Sequence, residues 1–389
     1  MDLVPGVVQI HDQMIGWRHD FHRHPEMYFS EFRTAAKLAD LLRSFGMDEI
    51  LEGVGRTGVI GVLKNDDGPA IGLRADMDAL ALSDQGQHDH RSTLEGITHA
   101  CGHDGHISML LGAAKYLSSS RRFRGTVVFI FQPAEEIVGG AQGMLEQGFL
   151  EHYAVQSIYA LHSFPGLAVG RMSITPGIAL AAVDNFKITV AGRSGHAGAP
   201  HLARDPIVAS GAMITGLQTI VSRTVDPIDS VVVSVTSIQS SSNLQNVIPE
   251  TVRLMGTVRY LNAVHSDQVA VGMKAIIDGV AAAHGVTASI EYERNCLPLV
   301  NSSQACEIAT SVARDLLGDG GVVQLPPMMG SEDFVYFLQR IPGVFAFIGN
   351  GEDSSPLHNA AFDFNDQVLP IGASYFARMV EVTLPHGDH

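Results

Sequence analysis

Residues 127–136 read VVFIFQPAEE, an apolar run that ends in two adjacent carboxylates. The five apolar side chains predict a β-strand, because a short apolar run bounded by a turn signal is typical of a buried strand. Pro133 marks the end of the run. Glu135 and Glu136 therefore follow the carboxyl end of a strand, where open α/β sheets place their functional side chains.

The sequence on both sides alternates between helical and strand-like patterns. Residues 6–46 are predicted to be helical, with a break at His24-Pro25, Ser30 as an N-cap and Gly46 as the stop. The patterns that follow predict a helix at 107–117, a strand at 125–131, a helix at 140–147 and a strand at 157–161. This rhythm predicts an α/β layered domain with a mixed central sheet.

Two more apolar runs, 58–63 and 70–73, are separated by the turn signal at 65–68, Asn-Asp-Asp-Gly. Strand-like runs joined by such a turn predict a β-hairpin.

A second domain is predicted within residues 184–297. Its patterns follow the order strand, helix, strand, strand, helix, strand, which is the ferredoxin-like α+β signature. The chain of 389 residues also exceeds what one hydrophobic core usually supports. We therefore expect a discontinuous catalytic domain, 1–183 and 298–389, with an inserted domain at 184–297.

The amino-acid composition disfavours several classes of binding partner. The formal charge of −16 disfavours nucleic acid, because the surface should repel phosphate backbones. The apolar runs are too short to cross a bilayer, and the N-terminal residues lack the pattern of a secretory signal. Three cysteines cannot build a disulfide framework and fit a reducing compartment. A cytoplasmic enzyme without nucleic-acid or membrane partners is expected.

Metal-ligand chemistry is concentrated in residues 99–106, HACGHDGH. Cys101 and His103 are expected on a loop ahead of a helix that starts near residue 106. Thiolate and imidazole are strong ligands for borderline divalent ions. His99 and His106 are expected to support the site, although His106 stays open as a ligand. Taken alone, each of these residues also fits a structural role.

Further candidates lie after predicted strands or far downstream. Glu135 and Glu136 offer one carboxylate for a metal and one as a general base. Asp76 and Asp78 could orient a ligand histidine, or form a turn pair. The other candidates are His162, His358 and, in the second domain, His196, which could donate to an oxyanion.

The ordered set resembles the dinuclear metallo-amidohydrolases related to aminoacylases and carboxypeptidases, in the hippurate hydrolase and indole-acetyl-amino-acid hydrolase branch. The matching motifs cover nearly the whole chain: HRHPE at 22–26, RADMD at 74–78, HACGHDGH at 99–106, QPAEE at 132–136, LH at 161–162, GHA at 195–197, NVIP at 246–249, GTVR at 256–259, GSEDF at 330–334 and HN at 358–359. Residues 88–90, His-Asp-His, depart from the family pattern.

The resemblance implies two divalent ions per subunit, Mn²⁺ or Zn²⁺, with Co²⁺ or Ni²⁺ as alternatives. The implied ligands are Cys101 as the bridge, His103, Glu136, His162 and His358. Glu135 would be the general base and acid, with Asp78 and His196 as further catalytic residues. His196, Asn246 and Arg259 would contact the substrate. The smaller domain would act as a lid and dimerisation domain, which implies a homodimer or a higher homo-oligomer.

The resulting hypothesis is hydrolysis of a small N-acyl amino acid to a carboxylate and a free amino acid. A metallo-exopeptidase that cleaves dipeptides is the main alternative. A cysteine hydrolase that uses Cys101 and a non-catalytic metal-binding module are the others. Residue types and spacing do not identify the acyl group, the amino acid or the native metal.

Overall fold

The computed structural model describes residues 1–386. Its α-helices are α1 (Pro5–Val8), α2 (His11–Arg23), α3 (Phe32–Phe45), α4 (His103–Ser120), α5 (Gly140–Leu145), α6 (Phe149–His152), α7 (Pro206–Thr219), α8 (Val264–His284), α9 (Ser303–Leu317), α10 (Val335–Leu338) and α11 (Leu369–Thr383). Its strands are β1 (Glu49–Val54), β2 (Gly58–Asn65), β3 (Ala70–Asp76), β4 (Gly125–Gln132), β5 (Val155–Pro165), β6 (Met172–Ser173), β7 (Gly177–Leu180), β8 (Ala182–Ala191), β9 (Gly195–His196), β10 (Val231–Ser240), β11 (Val247–Ile248), β12 (Thr251–Tyr260), β13 (Thr287–Cys296), β14 (Leu299–Asn301), β15 (Val322–Val323) and β16 (Gly343–Gly351).

The chain forms two compact units. The first comprises Met1–Ala179, Val300–Pro326 and Glu332–His389, and the second comprises Leu180–Leu299 and Pro327–Ser331. The sequence-based boundaries of the inserted domain were 184–297, and they did not include the short segment Pro327–Ser331. That segment has few residues and no periodic pattern that could have assigned it.

An eight-stranded mixed sheet is the centre of the first unit, in the order β1-β2-β4-β3-β5-β16-β6-β15. Strands β4, β3, β5 and β16 are mutually parallel. All seven residues of β3 are buried, as expected for a central strand covered on both faces. The predicted α/β class with a mixed sheet is confirmed.

Helix α4 supplies much of the core next to this sheet. Thirteen of its eighteen residues are buried, and it packs against α2, α3 and α11. Every residue from 103 to 114 is buried, so this part of the helix lies inside the unit. Its first residue is His103, and the core thereby fixes the position of that side chain.

Two local predictions for the first unit are wrong. Strands β2 and β3 do not form a hairpin, because β4 lies between them, antiparallel to β2 and parallel to β3. The turn signal at 65–68 joins strands that are not neighbours. Helix α3 starts at Phe32 with Glu31 in the capping position, so Ser30 is not its N-cap. Gly46 does end that helix, with a left-handed φ of 76°.

The second unit has a four-stranded antiparallel sheet in the order β10-β12-β8-β13. Its chain order is β8, α7, β10, β12, α8, β13, which is the predicted ferredoxin-like sequence of elements. Alternate residues of β12 are buried, and both helices pack on the sheet. Asp205 caps α7 by accepting from the backbone of Ile207 at 2.8 Å.

Among residues 1–386, no helix is both long and apolar enough to span a membrane.

Candidate metal centre

The carboxyl ends of three neighbouring parallel strands gather the candidate residues of the first unit. Strand β3 lies between β4 and β5 and is parallel to both. Asp78 follows β3, Glu135 and Glu136 follow β4, and His162 lies towards the end of β5. Because parallel strands end at one edge of a sheet, residues distant in sequence meet there.

Gly102 positions the two ligand candidates of residues 99–106. It occupies the capping position of α4 with a φ of 88°, and a Cβ atom there would lie 2.6 Å from Ser163 Oγ. Only glycine combines this backbone conformation with that close approach. Cys101 precedes the helix as predicted. His103 is its first residue and does not lie on a loop.

The structure brings the five predicted ligand side chains together. Cys101 Sγ lies 3.5 Å from His162 Nε2. Glu136 Oε1 lies 3.8 Å from His103 Nε2 and 3.5 Å from His358 Nε2. Ligands that share a metal ion at about 2.0–2.3 Å are separated from one another by roughly 3–4 Å. The observed spacings therefore fit donor atoms around divalent ions.

Two of these candidate ligand atoms have no hydrogen bond to another described residue. His103 Nε2 and Glu136 Oε1 are buried and have no hydrogen-bond partner among the described residues. Leaving a buried imidazole nitrogen or carboxylate oxygen unpaired is unfavourable, and a bound cation would satisfy both. The residues present therefore fit a divalent metal.

Asp78 holds two of the ligand candidates in place. His103 Nδ1 donates to the Asp78 carbonyl at 2.9 Å and lies 3.3 Å from its carboxylate. The backbone N–H of Glu136 donates to Asp78 Oδ2 at 3.1 Å. Pairing at Nδ1 leaves Nε2 of His103 as the free donor. This is the orienting contact predicted for Asp78.

His106 has no donor atom left for a metal, although its side chain is close. Its Nδ1 lies 2.6 Å from Asp76 Oδ1, and its Nε2 accepts from the backbone N–H of Ser163 at 2.9 Å. Asp76 Oδ2 in turn accepts from Arg74 at 2.7 Å. Asp76, His103, His106 and His162 do place ligand atoms within 4.8 Å of one another. The hydrogen bonds nevertheless give His106 and Asp76 a supporting role.

Glu135 lies next to two further carboxylates, Glu332 and Asp333, to which the sequence alone assigns no role. Glu135, Glu332 and Asp333 place carboxylate oxygens within 4.8 Å of one another, and all three are buried. Arg74 donates to Glu332 at 2.8 Å and contacts Asp333 at 3.3 Å. The GSEDF and RADMD motifs were visible in sequence, but nothing local showed that they meet.

Burial raises the pKa values of two residues at the candidate metal centre. Burial and the nearby carboxylates of Glu136 and Glu135 hold the pKa of Cys101 well above that of an ordinary thiol. Burial and the Glu332 and Glu136 carboxylates likewise hold the pKa of Glu135 well above its usual range. A thiol of raised pKa is a poor nucleophile without a cation, which argues against the cysteine hydrolase.

The remaining candidates belong to the second unit. His196 pairs with Val247 on the β9–β11 ladder, and its Nδ1 accepts from the Gly198 N–H at 3.0 Å. The Ala197 N–H donates to the Asn246 carbonyl at 2.9 Å, so His196 and Asn246 lie side by side. Arg259, near the end of β12, donates to the Met329 carbonyl at 2.9 Å.

Sulfur, imidazole and carboxylate ligand atoms that converge beside a buried glutamate are typical of metal-dependent hydrolases. Residues 72–382 match the family described as Peptidase family M20/M25/M40, and the chain belongs to this family. Its members hydrolyse amide bonds, so the chain is an amide-bond hydrolase.

Individual relatives match over almost their full lengths. The hippurate hydrolase of Campylobacter jejuni is 37% identical over 381 residues, covering 97% of this chain and 98% of that protein. An N-acetylcysteine deacetylase of Bacillus subtilis is 37% identical over 377 residues, covering 96% and 97%. The crystal structure of the YXEP protein of Bacillus subtilis, described as a dinuclear metal binding peptidase, superposes with a TM-score of 0.83 at 34% identity, covering 97% and 99%.

Proposed function

We propose that this chain hydrolyses N-acyl amino acids to a carboxylate and a free amino acid. The observation that carries the proposal is the set of five converging donor side chains with buried Glu135 beside them. The hippurate hydrolase and the N-acetylcysteine deacetylase support the substrate class, since both names describe acyl-amino-acid amides.

Cys101, His103, Glu136, His162 and His358 would hold two divalent ions, Mn²⁺ or Zn²⁺, with Co²⁺ or Ni²⁺ as alternatives. Such ions lower the pKa of water towards neutrality and polarise a carbonyl oxygen. Asp78 fixes His103 and the backbone of Glu136, and so keeps the donor atoms convergent. Cys101 is proposed as the bridging ligand because its sulfur faces His162 and also lies in one ligand group with Glu136 and His358.

Glu135 is proposed to move the proton. It would accept a proton from the attacking water and return it to the departing amine, as one carboxylate can serve as base and then as acid. Its position supports this role, because His103, Glu135 and Glu136 place ligand atoms within 4.8 Å of one another. Glu135 is thus next to the donor atoms without being needed among them.

His196, Asn246 and Arg259 are proposed to bind the substrate carbonyl or carboxylate. Their support is the match of the GHA, NVIP and GTVR motifs to the family, together with the position of Asn246 next to the β9–β11 ladder that holds His196. A homodimer and a cytoplasmic location complete the proposal. The three cysteines are all buried, and such cysteine usage is compatible with a reducing compartment.

The test is a hydrolysis screen with chelated protein that is reloaded separately with Mn²⁺, Zn²⁺, Co²⁺ or Ni²⁺. N-benzoyl and N-acetyl amino acids are compared with unmodified dipeptides. The proposal expects the acylated substrates to have the higher kcat/KM. Preference for dipeptides would favour the metallo-exopeptidase, and the YXEP protein is itself described as a peptidase. Activity that survives chelation would contradict both.

A further inference from the structure

A second group of imidazoles and carboxylates lies in the first unit, outside the proposed ligand set. His22, His88 and Asp363 each place one ligand atom within 4.8 Å of the other two. We call these three residues the histidine cluster. His22 belongs to α2, His88 to the stretch that departs from the family pattern, and Asp363 to the segment between β16 and α11.

A buried carboxylate orients His22. His22 Nδ1 lies 2.8 Å from Asp104 Oδ2, and both side chains are fully buried. Arg18 holds the same Asp104 oxygen at 3.3 Å. A carboxylate at one ring nitrogen commonly directs the other nitrogen of a histidine towards a metal. Here the other nitrogen, Nε2, lies 3.3 Å from Asp84 Oδ2. Two ligand atoms on one ion have roughly this separation, and the partner is a carboxylate, whereas Nε2 of His106 is held by a backbone N–H, which cannot bind a metal.

His88 has no hydrogen-bonding role in the fold. Both of its ring nitrogens are buried and lack a partner among the described residues. Its ring stacks on that of His90 at a centroid distance of 3.9 Å, and His90 stacks on His19 at the same distance. The side chain is half-buried, but leaving both of its buried nitrogens unpaired is unfavourable unless a ligand satisfies one of them.

The surrounding charge favours a cation. The carboxylates of Asp84, Asp104, Asp363 and Asp366 lie around the cluster. Arg18 contacts three of them, Asp104, Asp363 and Asp366, and contributes one positive charge. Four carboxylates against one guanidinium leave an excess of negative charge, which a protonated His22 or a divalent ion at the imidazoles would balance.

We propose that His22, His88 and Asp363 bind one divalent first-row transition ion, such as Zn²⁺ or Ni²⁺, with Asp84 as a further oxygen ligand. Imidazole and carboxylate donors suit these ions. Ligand atoms on one such ion are roughly 3–4 Å apart, so a separation within 4.8 Å needs only a small side-chain shift. The ion ties α2 to two segments distant in sequence.

The first experiment counts ions. Full-length protein is saturated with Zn²⁺, passed through a desalting column and measured by inductively coupled plasma mass spectrometry against protein concentration. His88→Ala is expected to carry one ion per chain fewer than the wild type. His284→Ala, which removes a histidine of α8 in the second unit, is the matched control and should keep the wild-type count. The catalytic centre contributes equally to all three samples.

A second variant keeps the imidazole but displaces it. A Cβ atom on Gly86 would lie 2.3 Å from His88 Nε2. Gly86→Ala should therefore also lose one ion while retaining every ligand residue. Wild-type zinc content in both His88→Ala and Gly86→Ala would overturn the proposal. Circular dichroism of each variant establishes that the ion count refers to folded protein.

Discussion

The proposed catalytic centre and the histidine cluster use the same side-chain chemistry on different supports. Among the catalytic donors, Glu136 and His162 lie at the ends of the parallel strands β4 and β5, and Cys101 and His103 lie at the start of the buried helix α4. His358 lies on the segment after β16. The histidine cluster joins one helix residue to two irregular segments, around His88 and Asp363. The first arrangement is prescribed by sheet topology, whereas the second depends on how two loops meet. Catalysis needs the more rigid support, because small misplacements cost large factors in rate.

Replacing Glu135 should give the largest difference between the two regions. Glu135→Gln removes the proposed proton carrier, and general acid–base catalysis is worth roughly 100- to 10,000-fold. We expect kcat to fall within that range while zinc content stays at the wild-type value. Glu151→Gln, an exposed carboxylate on α6, is the matched control. Near-normal turnover of Glu135→Gln would remove Glu135 from the mechanism.

Asp78→Asn tests the support of the catalytic donors. Asparagine cannot keep a carboxylate beside His103 and the Glu136 backbone, although the Asp78 carbonyl contact remains. Loss of such an orienting carboxylate typically weakens metal affinity by about 10- to 100-fold. Competition with a fluorescent zinc chelator measures the change. Unaltered affinity would show that the backbone contacts alone orient His103.

Zinc should stabilise the wild type more than His88→Ala. An ion that binds only the folded state adds about 2.7 kcal/mol at a free concentration of ~100 times its Kd. The urea midpoint is measured for both proteins with and without Zn²⁺. We expect a smaller zinc-dependent increase in His88→Ala, since one site is lost. Equal increases would mean that the histidine cluster contributes no zinc-dependent stability.

Ser302→Ala should give the smallest change in the free energy of unfolding among these variants. It serves as a reference for stability changes that do not involve a metal ion. Ser302 Oγ accepts from the Ala305 N–H at the start of α9. Loss of such a cap costs about 1 kcal/mol. The urea midpoint should decrease equally with and without Zn²⁺. A zinc-dependent difference would show that the stability assay does not separate the two kinds of effect.

The sequence predicted what depends on local pattern and on motifs. Strand β4 and helix α3 follow from apolar periodicity, and the class of the fold follows from their alternation. The hairpin prediction failed because β4, the strand that lies between β2 and β3, is about 60 residues downstream, and the turn at 65–68 gives no indication of it. The approach of Glu332 and Asp333 to Glu135 is likewise long-range.

The proposed catalytic centre could be predicted from local sequence, whereas the histidine cluster depends on long-range contacts. Cys101 and His103 stand in one dense string, whose residue types alone indicate ligand chemistry. His88 is conspicuous in sequence only as part of an unusual His-Asp-His stretch. Its relation to His22 and Asp363 needs the folded chain, because those residues are separated from it by 66 and 275 positions, respectively. The feature that indicates His88 as a ligand is its pair of unpaired ring nitrogens, and only the folded structure shows it.

The most direct test of the central claim is a crystal structure of the zinc-loaded protein with anomalous data collected at the zinc edge. The account predicts two peaks bounded by Cys101, His103, Glu136, His162 and His358, with Glu135 beside them and outside both coordination shells. Peaks bound instead by Asp76 and His106, or no peak within reach of Cys101, would contradict it.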